Sequence, residues 1–146
     1  MIKMECKLEK ENKEKIKKLV KIAKSLIGKK YKYGAKPEEA PEYFDCSSFI
    51  QYLFKQINIQ LPRCSIEQIE YGKSIELEDI KPGDLVFFKG GKFHVNERWP
   101  NGVGHVALYI GKGKIIHAFG NRKQVCISNL KDMMHYELRA IKRILE

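Results

Sequence analysis

Two stretches in the first half of the chain place apolar side chains at helical spacing. Between Asn12 and Ile27 apolar residues recur every three or four positions and lysines fill the opposite face, which predicts an amphipathic helix. Asn12 is a suitable N-cap for this helix, and Gly28 is suited to end it. A second apolar stripe predicts a helix from Cys46 to about Ile57, with Asp45 as its N-cap.

The second half of the chain has the shorter apolar segments that are typical of strands. Strands are expected in five segments that are bounded by turn residues: Leu85–Phe88, Gly104–Ile110, Lys114–Phe119, Gln124–Ile127 and Arg139–Ile144. Helices followed by consecutive strands predict an α+β fold, in which N-terminal helices pack on an antiparallel sheet. No shift in composition marks a boundary, so we expect residues 1–146 to form a single domain, with residues 1–12 as a mobile N-terminal arm.

The formal net charge of +10 is concentrated near the N-terminus, where residues 1–36 contain 13 lysines and 4 glutamates. Two interpretations stay open, a solvated helix face or a basic surface that contacts an anionic polymer. No zinc-finger spacing or aromatic RNA-binding motif accompanies the lysines, so no nucleic-acid partner is expected. We expect the protein to be a monomer.

The sequence leaves the location of the protein open. No apolar run approaches the roughly 20 residues of a membrane span, so none is expected. The N-terminal lysines are not followed by an apolar segment, and we therefore expect no secretory signal. An exported or mature form would act in the cell wall or outside the cell, and the protein is otherwise cytoplasmic.

The four cysteines, Cys6, Cys46, Cys64 and Cys126, are widely spaced, and we expect free thiols. Cys46 stands at the first position of the second predicted helix, where the backbone N–H groups and the helix dipole favour a thiolate and lower its pKa. The same N–H groups can donate hydrogen bonds to an oxyanion. The alternative for Cys46 is a small buried side chain with a structural role.

Two histidines in neighbouring predicted strands are candidates for a base and the group that orients it. His105 follows a glycine at the start of one strand, and His117 lies in the next strand. His94 and His135 are expected at the surface. Zinc binding by Cys46 and the two strand histidines is a rival interpretation, but no close pair of ligands supports it, and we expect no metal and no cofactor.

The two strand histidines can meet only if the hairpin between them is irregular. A plain two-residue turn at Lys112-Gly113 would pair His105 with Gly120 and place His117 on the opposite face of the sheet. A three-residue loop with Gly113 in the left-handed conformation, or a bulge nearby, shifts the register by one residue. We therefore expect such an irregularity, with both imidazoles facing the helix that carries the cysteine.

Six segments in chain order resemble the NlpC-type cell-wall cysteine peptidases of the papain-like superfamily. They are Tyr31-x-Tyr33-Gly34, Asp45-Cys46-Ser47, Leu61-Pro62-Arg63 with Gln68, Pro82–Phe88, Gly104-His105-Val106 with Tyr109-Ile110-Gly111, and His117-Ala118. The resemblance implies a papain-like fold and a peptidoglycan or muropeptide substrate. It also implies hydrolysis of stem-peptide bonds between D-glutamate and a diamino acid.

The resemblance implies roles for the residues of a candidate site. It makes Cys46 the nucleophile, His105 the base and His117 the group that orients the base. Three further residues are expected beside the nucleophile, where they would help to bind the substrate or the oxyanion: Tyr31, Asp45 and Ser47.

Other matching positions are expected to hold the scaffold, namely Arg63, Gln68 and Asp84. The sequence departs from the family pattern at Ser48 and Ala35, where glycines are usual. Because both positions border the expected substrate groove, they bear on which bond is cleaved.

Two other functions are considered. A papain-like acyltransferase or amidase acting on a lipid or another amide would need an apolar acyl channel or a membrane anchor. A non-catalytic cell-wall-binding module would carry the cysteine and histidines as relics. The intact set of Cys46, His105 and His117 argues against the second function, because a relic site usually loses one member.

Overall fold

A computed structural model of the chain describes residues 2–145, and its first element is a long helix, α1, over Ile2–Ser25. The expected start at Asn12 is wrong, since Asn12 lies within the helix. The residues before it are mostly lysine, glutamate, methionine and leucine, which have high helix propensity and extend the helix towards the N-terminus. Mobility of residues 1–12 stays a prediction.

Two shorter helices follow, α2 over Cys46–Lys55 and α3 over Ser65–Gln68. The α2 helix begins at Cys46 and is capped by Asp45, as expected, and it ends slightly before the predicted Ile57. The apolar side chains on its inner face are fully buried and include Phe49 and Leu53. The α1 helix contributes Leu19 and Ala23 to the same core cluster.

In the part of the chain that the structure describes, eight strands form one sheet: β1 (Lys30–Tyr31), β2 (Tyr43–Phe44), β3 (Lys73–Ser74), β4 (Leu85–Phe88), β5 (His105–Gly111), β6 (Lys114–Phe119), β7 (Gln124–Asn129) and β8 (Leu138–Arg143). The five predicted strands are β4 to β8; β4 and β6 have the predicted bounds, and the others have ends shifted by one or two residues. The three two-residue strands were not predicted because they carry no periodic pattern.

The strands lie in the order β2-β1-β7-β6-β5-β4-β8-β3. All neighbours are antiparallel except β1 and β2, which are parallel, so the expected purely antiparallel sheet is wrong at this edge. The α2 helix packs across β5 and β6 and buries residues such as Leu108 and Ile116 between them. A smaller cluster around Val86 and Ile115 covers the opposite face of the sheet.

The α+β fold, with helices packed on the sheet, is therefore confirmed. Among the described residues, no helix combines the length with the apolar character that crossing a bilayer requires. The packing of α2 on β5 and β6 matters most for function, because it brings the first residue of the helix to the strands that carry the histidines.

Candidate active site

The start of α2 is fixed by a reciprocal pair of hydrogen bonds. The Ser48 N–H donates to Asp45 Oδ1 at 2.9 Å, and the Asp45 N–H donates to Ser48 Oγ at 2.9 Å. This capping box satisfies two N–H groups that otherwise have no partner at a helix end. Because Cys46 lies between the two capping residues, the capping box also fixes the direction of the Cys46 side chain.

The second carboxylate oxygen of Asp45 is held by groups from distant segments. Arg63 Nη2 lies 2.7 Å from Asp45 Oδ2, and the Gly34 N–H donates to the same oxygen at 3.0 Å. The guanidinium also donates to Ser47 Oγ at 2.9 Å and to the Ala35 carbonyl at 2.5 Å. Asp45 and Ser47 therefore border the site with their polar atoms already engaged, which favours a supporting role for both.

Gln68 and Asp84 also have the contacts expected of scaffold residues. The buried Gln68 amide donates to the Ser47 carbonyl at 3.0 Å and to the Pro62 carbonyl at 2.8 Å. The buried Asp84 carboxylate accepts from Arg143 Nε at 2.8 Å. The first contact supports the α2 start, and the second links the turn before β4 to β8.

The β5–β6 hairpin contains the predicted irregularity. Leu108 pairs with Ile116 while Gly111 pairs with Lys114, and the register shifts between Tyr109 and Gly111. The loop keeps two residues, so the irregularity is a bulge in β5 rather than a three-residue loop. Gly111 has φ +97° and Gly113 has φ +74°, conformations that glycine adopts at low cost.

The register shift brings the two histidines together. His105 Nε2 lies 2.7 Å from His117 Nδ1, and His117 Nε2 lies 2.9 Å from Ser128 Oγ on β7. The ring of Phe119 stacks on His117 at 4.7 Å between centroids, with 15° between the ring planes. The prediction that both imidazoles share one face of the sheet is confirmed.

The expectation that this face is turned towards α2 is wrong. Side chains alternate between the two faces along a strand, and Ala107 and Ile115, which share the face of the histidines, pack in the cluster opposite α2.

Burial keeps both imidazoles neutral. It lowers the pKa of His105 to about 4. The pKa of His117 lies well below its usual 6.5, first because of burial and then because of repulsion from a charged His105. A neutral His105 has one unprotonated ring nitrogen and can therefore act as a base at neutral pH.

The Cys46 thiol is buried and points towards the strand that begins at His105. Its Sγ lies 3.6 Å from the Gly104 carbonyl oxygen, to which it donates. Burial, followed by the negative charge of Asp45, raises the pKa of Cys46 to about 12. The N–H groups of Val106 and Ser47 lower the pKa by less. The expected low pKa is therefore wrong, because loss of solvent outweighs the helix start.

Cys46 and His105 border one cavity of about 560 Å³, within the range of small-molecule sites. Tyr31 also borders it, and burial, followed by the nearby Cys46 and Asp45, raises the pKa of the Tyr31 hydroxyl, which therefore stays protonated and able to donate. His94 is exposed, as predicted, but it faces this cavity. His135 is exposed and lies outside the cavity.

All four cysteines are free thiols. Among the described residues, no three His, Cys, Asp or Glu side chains are grouped so that they would hold a metal ion.

Sequence reasoning did not find Ser128 or Lys92. Ser128 reaches His117 only through the pairing of β7 with β6, in which Cys126 lies opposite His117. Lys92 belongs to the loop between β4 and β5, which has no periodic pattern, and it borders the cavity. The register of β7 was the only available signal for Ser128, and nothing local marks Lys92.

A helix that begins with a cysteine and packs on a sheet whose strands carry the histidines is typical of the papain-like class of proteins. The sequence pattern of the NlpC/P60 family matches residues 28–143. The chain therefore belongs to the NlpC/P60 family.

Individual proteins are similar to this chain over most of its length. The γ-DL-glutamyl hydrolase of Bacillus subtilis is 40% identical over 118 residues, which is 81% of this chain and 27% of that protein. The γ-D-glutamyl-L-lysine dipeptidyl-peptidase of the same species is 36% identical over 101 residues, 68% of this chain and 32% of that protein. A solved NlpC/P60 protein from Bacillus cereus superposes with a TM-score of 0.76 at 29% identity, covering 90% of this chain and 40% of that chain. The chain thus spans less than half the length of the curated relatives that it matches first.

Proposed function

We propose that this protein is a cysteine endopeptidase that hydrolyses bonds between γ-linked D-glutamate and a diamino acid in peptidoglycan stem peptides. The observation that supports the proposal best is that Cys46 and His105 border one cavity while His105 is bonded to His117 behind it. The substrate class is taken from the names of the relatives, which act on γ-glutamyl bonds. Peptidases of this kind need a nucleophile, a base and a fixed orientation between them.

The hydrogen-bond chain selects the tautomer of the base. His105 Nε2 is engaged with His117 Nδ1, so His105 Nδ1 is the nitrogen that remains for the thiol proton. This nitrogen is unprotonated only if His105 donates from Nε2 to His117 and His117 in turn donates from Nε2 to Ser128 Oγ. Ser128 can accept because its own hydroxyl hydrogen is available to the Cys126 sulfur; burial raises the pKa of that thiol, and the contact with Ser128 opposes the rise. Ser128 is therefore a positioning residue.

The reaction begins from a neutral thiol and a neutral imidazole, in keeping with the directions of their pKa shifts. As Sγ of Cys46 attacks the amide carbonyl, its proton passes to His105 Nδ1. The backbone N–H groups of Cys46 and Ser47, at the open end of α2, and the Tyr31 hydroxyl are the donors for the oxyanion.

The tetrahedral intermediate collapses when the bond from carbon to nitrogen breaks. His105 then gives its proton to the leaving amine, which departs with the diamino acid, and a thioester to Cys46 remains. Water attacks the thioester while His105 takes a proton from it, and the acid product and the Cys46 thiol are released. His117 keeps the imidazole oriented through both steps.

The alternatives fit the cavity less well. Three charged side chains border it, Asp45, Arg63 and Lys92, which is unsuited to a lipid acyl chain. A wall-binding module would not need a buried chain of hydrogen bonds that runs from His105 through His117 to Ser128. Contact between the basic α1 helix and an anionic wall polymer is a separate proposal, which is compatible with either function.

The proposal is tested with the synthetic tripeptide L-Ala-γ-D-Glu-diamino acid and mass analysis of its products. We expect release of the free diamino acid, and Cys46→Ala should lower kcat/KM by at least about 10³-fold. Cys6→Ala, at an exposed thiol on α1, is the matched control and should keep wild-type activity. An intact tripeptide after prolonged incubation with the wild-type protein, or equal rates for wild type and Cys46→Ala, would refute it.

A further inference from the structure

The cavity carries one positive charge that no carboxylate within residues 2–145 balances. Of its three charged side chains, Asp45 and Arg63 are paired with each other at 2.7 Å. Lys92 forms no ion pair with any carboxylate of the described residues, and its ammonium instead lies over the ring of Tyr33, 4.3 Å from the centroid. A cleft with a single uncompensated ammonium is suited to a ligand that carries a carboxylate.

The backbone of Lys92 is fixed beside the proposed catalytic pair. A Cβ atom added to Gly104 would lie 1.8 Å from the Lys92 carbonyl oxygen, so the loop can pass at this distance only over a glycine. Gly104 directly precedes His105, and its own carbonyl accepts the Cys46 thiol. Lys92 therefore starts from the wall of the cavity that carries His105.

The side chain of Lys92 reaches the opposite wall. Tyr33 follows β1, and its neighbour Gly34 donates to Asp45 at the α2 start. The Lys92 side chain thus crosses the cleft, from the β4–β5 loop to the segment after β1. An exposed contact between an ammonium and a ring contributes only about 0.5–1 kcal/mol, so an incoming carboxylate can displace it.

The part of the β4–β5 loop from Arg98 to Gly102 lies outside the cavity and is anchored by its own contacts. Trp99 Nε1 donates to Glu70 Oε1 at 3.0 Å, and Arg98 lies 3.2 Å from the same carboxylate. Arg139 Nε donates to the Gly102 carbonyl at 2.8 Å. These contacts hold the backbone, while the Lys92 side chain is exposed and can adjust to a ligand.

We propose that Lys92 forms a carboxylate subsite that binds the free α-carboxylate of the γ-linked glutamyl residue, an inference that rests on the proposed function. A γ-glutamyl bond uses the side-chain carboxyl group, so the α-carboxylate stays ionised. It lies four carbon–carbon bonds from the attacked carbonyl, which places it within the same cavity. A substrate in which this carboxylate is amidated loses the charge but keeps the shape. Lys92 therefore distinguishes the carboxylate form of the substrate from the amide form.

The experiment compares the D-glutamate tripeptide with its α-amide, which contains D-isoglutamine. Dissociation constants are measured by calorimetry with Cys46→Ala, and kcat/KM is measured with the active enzyme. We expect tighter binding of the carboxylate form, and Lys92→Met should weaken that binding by about 10- to 100-fold while changing amide binding less than about twofold. Lys92→Arg should keep most of the preference.

Lys89→Met is the matched control, because Lys89 lies on the same loop, 4.8 Å above the Phe93 ring, and does not border the cavity. It should leave both dissociation constants unchanged. Equal binding of the two peptides by Cys46→Ala, or an equal loss for both in Lys92→Met, would overturn the subsite. Failure of the proposed function is distinct: binding would still discriminate between the peptides while neither is cleaved by the active enzyme.

Discussion

The two sides of the cleft differ in how their side chains are held. On the buried side, Asp45, His105 and His117 are almost inaccessible to solvent and are fixed by hydrogen bonds of 2.7–3.0 Å. On the open side, Tyr33 is 57% exposed and Lys92 contacts it only through the face of its ring. The proposed chemistry, which depends on fixed distances, lies on the first side, and the proposed carboxylate subsite, which tolerates adjustment, lies on the second.

The largest expected effect tests how strongly the buried side is held. Arg63→Met keeps much of the side-chain volume but leaves the buried Asp45 carboxylate without its cation, so we expect the free energy of unfolding to fall by about 3–5 kcal/mol. Lys32→Met is the control, since Lys32 forms an exposed pair with Glu39 and should cost less than about 1 kcal/mol. Urea unfolding measures both. Similar losses in the two variants would mean that the buried side has no special anchoring.

Lowering the pH should reduce the free energy of unfolding through the two buried histidines. The pKa of His105 is about 4 and that of His117 is also lowered by burial, so the unfolded chain takes up protons first as the pH falls below about 6.5. The free energy of unfolding is therefore greatest above that pH. It should fall by up to about 1.4 kcal/mol per pH unit for each histidine between pH 6.5 and 4.

Chemical denaturation at several pH values measures this slope. His117→Asn should reduce it, and His135→Asn, at an exposed histidine, should not. Because only neutral His105 can accept the thiol proton, the acid limb of kcat/KM should lie near pH 4. An acid limb at pH 6.5 with no change in stability would show that the histidines are not held neutral by burial.

Features of the site that depend on neighbouring residues in the chain could be predicted from the sequence. Asp45 and Ser48 cap α2 within one turn, and the bulge that joins His105 to His117 lies within one hairpin. The Arg63 contacts could not be predicted, because they join segments that are distant in the chain. The long α1 was missed because a plausible N-cap, Asn12, lies inside a run of helix-forming residues.

The pKa of Cys46 shows a second limit of what can be predicted from the sequence. The helix start is a local feature and was predicted, and its N–H groups do lower the pKa. Burial is decided by how α2, β5 and the loops close around the thiol, and this larger contribution has the opposite sign. The sequence therefore predicts which residue is placed at the site more reliably than it predicts the charge that the residue carries there.

A smaller effect is expected at the far end of the hydrogen-bond chain. Ser128→Ala removes the acceptor for His117 Nε2, so a fraction of His105 should adopt the unreactive tautomer and kcat should fall about 5- to 10-fold with KM unchanged. Ser128→Thr should restore the rate. Ser74→Ala, on the outer strand β3, is the matched control.

The decisive comparison for Ser128 is made in a His117→Ala background. If Ser128 acts by orienting His117, its removal should have no further effect once His117 is absent. A loss of the same size in both backgrounds would mean that Ser128 supports the sheet rather than the base.

The smallest expected effect concerns a third region, the exposed beginning of α1, which lies outside the cleft. Lys7, Lys10 and Lys13 are exposed on this helix, and replacing all three by glutamine should weaken binding to purified cell walls about fivefold at low salt. The difference should vanish in 0.5 M NaCl, where charges are screened over a few ångströms. Hydrolysis of the tripeptide should be unchanged, because none of these lysines borders the cavity.

A second set of three lysines, outside α1, is the control for this result. Lys55, Lys112 and Lys131 are also exposed, and replacing them by glutamine removes the same charge from the remainder of the surface. If the wall is bound through α1, this second set should weaken binding far less than the first. Equal weakening by both sets would show that only the total charge matters, and wall binding that is insensitive to salt would rule out the basic helix as the contact.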